Sequence, residues 1–114
     1  MDNTEWTPRE IEIAQLAFAA GTKNAESELI RQVQEKSVNL TDIQSLFEMH
    51  DYLSIERYEL EGRSRFDPDT ALFAFAEMVK RGLMDVSALE GLEQKKISKI
   101  RAMSMFWFFF RRCS

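Results

Sequence analysis

The stretch FEMHDYLSIERYELEG, Phe47 to Gly62, decides how this chain is read, because at helical spacing it carries two apolar faces instead of one. At 100° per residue Leu46, Met49, Leu53 and Leu60 fall within about 60° of one another and form an ordinary core stripe. Glu48, Glu56, Glu59 and Arg63 take a solvated side. Between them lies a second surface of Phe47, Asp51, Ser54, Ile55 and Tyr58, too apolar to be left in water by default. Asp51 and Arg57 are about 120° apart on this helix, so Asp51 has no cation within reach along its own helix.

A second copy of the helix supplies one. If two copies cross antiparallel about a two-fold axis at Ser54, Asp51 meets Arg57 of the partner subunit and His50 lies near Tyr58 of the partner subunit. Asp51 and Arg57 sit about 60° to either side of Ser54, as that symmetry requires, and a serine at the axis permits close approach. The competing arrangement folds Arg57 back onto Glu61 in the same helix, an exposed pair of small worth, and leaves Asp51 solvated.

Outward from this helix the punctuation reads as helix after helix. Thr7-Pro8-Arg9-Glu10 combines an N-cap, a proline at the first helical position and a glutamate three after the cap, so a helix starts near Pro8. Gly21 is a weak point within it. Ser37 to Leu40 is a break, and Thr41 with Gln44 is expected to form the capping box of the helix that runs to Gly62 or Arg63. Asp67-Pro68 is expected to open a third helix that Gly82 closes after Lys80 and Arg81. Ser87 with Glu90 opens a short fourth, and a fifth runs from about Glu93 to Arg111 with Ile97, Ile100, Met103 or Ser104, and Trp107 in stripe. No strand alternation is sustained, so the fold class is all-α.

Composition excludes several functions. The chain has 114 residues, a net charge of −4 and a pI near 5.1, with fifteen Lys and Arg scattered among nineteen acids, which disfavours nucleic acid as a partner. One cysteine, Cys113, excludes an internal disulfide and fits a reducing cytosol. No signal peptide and no transmembrane run of roughly 20 apolar residues is expected. His50 next to Asp51 is a poor acid–base pair, since neighbours on a helix diverge by about 100° and the aspartate is not expected to orient the imidazole. One histidine and one distant cysteine make no metal site, and four glycines make no phosphate loop, so neither enzyme nor cofactor is expected.

The segments MHDYLSIERYELEG, FAFAEMVKRGL and KKISKIRAM together resemble the fluorescence recovery protein family of cyanobacteria, over roughly Leu46 to Met103. Before Leu46 the similarity is only a helical pattern. The resemblance implies two long antiparallel N-terminal helices and a small three-helix head, assembled as a dimer through the long helices. It divides the single domain into a dimerisation region, 1–66, and a head with an aromatic extension, 67–114. It implies a non-enzymatic regulator that binds the light-activated orange carotenoid protein through that protein's C-terminal domain. The regulator speeds return to the orange form and promotes detachment from the phycobilisome, in the cytoplasm near the thylakoid membrane. The family's dimer-face positions fall on His50, Asp51 and Arg57, with Phe47 where a tryptophan is usual, and Ser54 and Tyr58 complete the face from the wheel. Positions tied to activity in the head fall on Phe73, Lys99 and Met103. A paralogue serving another client as a helical adaptor is the alternative.

The run Phe106-Trp107-Phe108-Phe109-Phe110, followed by Arg111 and Arg112, departs from the resemblance. Five successive aromatics surround a helix and exceed what one core can cover, so the segment is expected either to fold back over the first helix or swap into another protomer, or to meet a client or a membrane surface, with Trp107 continuing the inward stripe.

Overall fold

The computed structural model describes the backbone of residues 5–62 and 65–113, with side chains up to Met105. It is all-helical, in the order α1 (Pro8–Ser37), α2 (Ile43–Gly62), α3 (Ala71–Lys80), a 3-10 turn (Val86–Leu89) and α4 (Gln94–Cys113). No β-strand forms among the described residues beyond an isolated bridge between Glu90 and Leu92.

Helix α1 starts as its sequence dictates. The Thr7 hydroxyl accepts the Glu10 N–H at 3.1 Å, and the Glu10 carboxylate accepts the Thr7 N–H at 3.1 Å, a reciprocal capping box around Pro8. Gly21 does not interrupt the helix: it is buried, and a methyl group there would stand 2.5 Å from the Met78 sulfur. The helix ends at Ser37, where the expected break follows, and α2 doubles back so that the Tyr52 hydroxyl donates to Gln32 and Lys36 lies 4.8 Å over the Tyr52 ring.

Three helix starts fall beside the expected residues. At α2 the cap is Asp42 with Ser45, not Thr41 with Gln44. Asp42 Oδ1 accepts the Ser45 N–H at 2.8 Å, the Ser45 hydroxyl accepts the Asp42 N–H at 3.2 Å, and Gln44 bonds Glu48 instead. Those bonds from Ser45 hold the Asp42 carboxyl below its ordinary value. Helix α3 starts at Ala71, because Asp67 folds its carboxylate onto the Asp69 N–H and its carbonyl onto the Thr70 N–H, placing Pro68 in a turn. The short fourth element is capped by Asp85, which accepts the Ser87 N–H at 2.9 Å, rather than by Ser87. Helix α3 closes as expected: Gly82 takes φ +76°, its N–H bonds Val79 and the Leu83 N–H bonds Met78, a Schellman cap.

Contacts divide the chain into two units. One joins the chain up to Gly21 with the chain from Phe66 onward; the other is Thr22–Arg65, the far part of α1 with α2. The first unit holds the well-buried core, with Phe75, Leu89 and Ile100 inaccessible to solvent. Edge-to-face rings run from Trp6 to Phe66, Phe66 to Phe18 and Phe18 to Phe75 at centroid distances of 6.2, 5.9 and 6.4 Å. Gly91, at φ +106°, carries the chain into α4 with Ile13 Cδ1 only 2.5 Å from where a Cβ would sit. In the second unit Met49 is the one α2 residue that is buried.

Gly91→Ala should cost about 1–3 kcal/mol in a urea unfolding titration, since alanine resists this φ and its methyl meets Ile13. Gly62→Ala, where a methyl meets nothing within 4 Å, should move stability by less than about 1 kcal/mol.

Candidate functional site

Two surfaces carry the candidate residues, one in each unit. In the Thr22–Arg65 unit, α2 presents Phe47, Ile55 and Tyr58 at 58%, 59% and 80% exposure, together with exposed Ser54, His50 and Asp51. The expected core stripe is only partly covered: Met49 is buried and Leu60 half-buried, whereas Leu46 and Leu53 are exposed. One neighbouring helix cannot shield both apolar sides of α2, so the helix leaves a broad unpartnered apolar face. Arg57 Nε donates to Glu61 Oε2 at 3.1 Å, the arrangement in cis, and both groups are well exposed. His50 Nδ1 comes within 3.4 Å of Asp51 Oδ1, so the two side chains bend toward each other across the divergence expected of helix neighbours. At that distance, in water, the contact is weak. Arg63 lies outside the described residues.

The other surface belongs to the unit holding α3 and α4. Phe73 is 49% exposed, while its neighbours Leu72, Phe75, Ala76 and Glu77 are buried. Lys99 is exposed and Met103 half-buried. Ile97 and Ile100 form the buried stripe of α4 as expected, with Ser104 half-buried; the side chain of Trp107 lies outside the described residues, as do those of Phe106 to Phe110.

Beside Lys99 lies the feature that sequence reading missed. Lys96, on the buried face of α4, is almost inaccessible, and its ammonium bonds both Glu10 oxygens at 3.1 and 3.2 Å. It also donates to the Glu5 carbonyl at 2.7 Å and to Glu93 at 3.4 Å, and stands 5.1 Å over the Trp6 ring. The other side of the Glu10 carboxylate accepts the Glu93 N–H at 2.8 Å, at the start of α4. Burial opposes the Glu10 charge, but the Thr7 and Glu93 N–H groups and Lys96 outweigh it and hold the carboxyl below its ordinary value. The overlooked signal was Lys96 itself, four residues before Ile100 and therefore on the core stripe. An open cleft of about 1100 Å³ adjoins the pair, with Glu5, Thr7, Leu92, Lys95 and Lys99 on its walls. Phe73 and Met103 are not among its lining residues.

Among the described residues no three His, Cys, Asp or Glu side chains converge as metal ligands, and no helix is long and apolar enough to cross a membrane. Both surfaces offer exposed aromatic, aliphatic and charged groups suited to binding proteins.

Comparison with known proteins finds relatives along most of the chain. Residues 6–104 match the family model described as photoprotection regulator fluorescence recovery protein. The chain is 30% identical over 99 residues to the fluorescence recovery protein of Synechocystis sp. strain PCC 6803, a match covering 87% of this chain and 91% of that one. The solved structure of the Fremyella diplosiphon fluorescence recovery protein is similar at a TM-score of 0.77 and 30% identity, covering 89% of this chain and 99% of that one. The Synechocystis structure is similar at a TM-score of 0.74 and 30% identity, with the same coverage. The family match takes in α1, where the sequence by itself offered only a helical pattern.

Lys96→Met should destabilise the fold by about 3–5 kcal/mol, because Glu10 would keep a buried charge without its cation. The Glu10 carboxyl is depressed in the fold, so its contribution is complete above the ordinary glutamate value and is lost as pH falls below about 4.3. Thermal unfolding followed against pH should therefore show stability declining through that window, and Glu10→Gln should flatten the decline.

Proposed function

The chain belongs to the fluorescence recovery protein family of photoprotection regulators, and from that membership we propose that it binds the light-activated orange carotenoid protein at that protein's C-terminal domain. Binding speeds the client's return to the orange form and promotes its detachment from the phycobilisome, in the cytoplasm beside the thylakoid membrane. The observation that carries this reading is the family match over residues 6–104, which takes in α1, α2, α3 and the first turns of α4.

The mechanism is binding and not covalent chemistry. A binder accelerates a conformational return only by gripping the transition state more tightly than the red form. Phe73, Lys99 and Met103 are the residues assigned to that grip. Exposed Phe73 supplies an apolar anchor of the kind that dominates protein interfaces, and Lys99 supplies a charge at the cleft rim. A client surface containing acids and an apolar pocket suits them.

The same reading makes the working unit a homodimer through α2, with Phe47, His50, Asp51, Ser54, Arg57 and Tyr58 at the two-fold contact. Its support is the apolar α2 face and the small cost of exchanging the exposed Arg57–Glu61 pair for Asp51 of a second copy. The alternative client, served by a helical adaptor, draws on one observation: the aromatic run lies beyond the family match.

Arg57→Glu should weaken dimerisation by placing two acids together across the axis, and adding Asp51→Lys should restore it. Light scattering over a dilution series reads the mass, and a wild-type chain that is monomeric throughout would remove the dimer. In darkness after illumination, the wild-type chain should speed the loss of red absorbance of the carotenoid protein. Phe73→Asp and Lys99→Glu should each slow that effect several-fold while circular dichroism stays unchanged. A decay rate unaffected by saturating wild-type protein would hand the function to the adaptor reading.

A further inference from the structure

Gly21 leaves a gap on the buried side of α1, and two thioether side chains converge on it. The Met78 sulfur lies 2.5 Å from the point where a Cβ on Gly21 would stand, and the methyl groups of Met78 and Met84 each lie 3.3 Å from that point. Methionine, unbranched and adaptable, suits such a gap. The cap that ends α3 brings the pair together: Gly82 takes φ +76° and the Leu83 N–H bonds the Met78 carbonyl at 2.9 Å, so the chain doubles back and residue 84 returns to the same gap as residue 78. Gly21, Met78 and Met84 all belong to the same compact unit.

The two methionines differ in access, since Met78 is 6% exposed whereas Met84 is half-buried. We propose that Met84 is a modification site for hydroperoxides, and that its sulfoxide loosens α1 from α3. The Met84 sulfur lone pair attacks one oxygen of hydrogen peroxide, the S–O bond forms as the O–O bond breaks, and the departing oxygen leaves as water with both protons. Sulfur gives up two electrons and the peroxide takes them. An apolar filler has then become a polar group with a strong acceptor oxygen. Held against Gly21 and the Met78 thioether, that oxygen would be buried without a donor, so the Met84 side chain turns outward to water and leaves the gap partly empty. Met78 loses its neighbour and becomes the next sulfur to oxidise. Met105, at 72% exposure, is the more accessible thioether, but its sulfoxide stands in water and costs the fold little. None of this rests on the recovery function.

The test treats the full chain with hydrogen peroxide and then with dithiothreitol, which reverses disulfides formed at Cys113 and leaves sulfoxides in place. Peptide mass spectrometry locates the added oxygen, and urea unfolding reads its consequence. Met105 should convert first with the urea midpoint unchanged, and the midpoint should then fall by roughly 0.5–1.5 M in step with conversion of Met84. Met84→Leu should hold its midpoint under the same treatment, and Met105→Leu should give no protection. On oxidised wild type, which needs no variant to fold, methionine sulfoxide reductases should restore the midpoint as oxygen is lost from Met84. A Met84 that stays reduced while Met105 is fully converted would overturn the proposal. So would a Met84 sulfoxide with an unchanged midpoint, or a Met84→Leu chain that loses as much stability as wild type.

Discussion

The Glu10 carboxylate is the group on which the compact part of this protein depends. It accepts the Thr7 N–H and so completes the start of α1, accepts the Glu93 N–H and so completes the start of α4, and neutralises Lys96. Two helix N-termini present orphan N–H groups and a positive dipole end, and a buried anion between them answers both. The buried ammonium follows from the same geometry. A lysine on the core face of α4 would be costly in isolation, yet here it meets a carboxylate, a carbonyl and an indole face. Removing either partner would leave the other stranded, which makes the arrangement specific to a single register of α1 against α4.

The Thr22–Arg65 unit is built on the opposite terms. Its helices are long and laced with exposed intrahelical pairs such as Arg31 with Glu28 and Arg57 with Glu61, each worth only tenths of a kcal/mol. Among α2 residues only Met49 is buried, so tertiary burial within this unit is slight and association is the natural way to cover Phe47, Ile55 and Tyr58. Burial is thus unevenly shared along the chain: one part holds itself together through a buried ion pair and edge-to-face rings, and the other leaves apolar residues of α2 exposed.

Much of this was legible because helices announce themselves locally. Thr7 and Glu10, Gly82 after Lys80, and the Ile97–Ile100 stripe all act through residues three or four apart, a range that one sequence displays in full. The misplacements were local as well. Thr41 and Asp42 are adjacent candidates for one cap, and the choice rested on whether Gln44 or Ser45 could return the bond; the shorter serine hydroxyl reached back and Gln44 turned to Glu48. Asp67-Pro68 read as a start because proline suits a first turn, but the Asp67 side chain closed an Asx turn first. What spacing could not reveal was anything depending on a distant segment. Leu46 and Leu53 read as core although both are exposed, and Lys96 drew no notice because its partner lies 86 positions earlier.

That separation has a consequence for how the chain acquires its structure. The bonds closing the compact unit span 83, 86 and 91 positions, so none can form until α4 has left the ribosome. The helical hairpin Thr22–Arg65 is complete in sequence well before that, and its contacts are short-range, so local helix formation can proceed there while the part of α1 up to Gly21 waits. During this interval the nascent chain displays Trp6, Phe18 and the apolar face of α2 together, and it is then that chaperones and neighbouring polysomal copies have their best access to it.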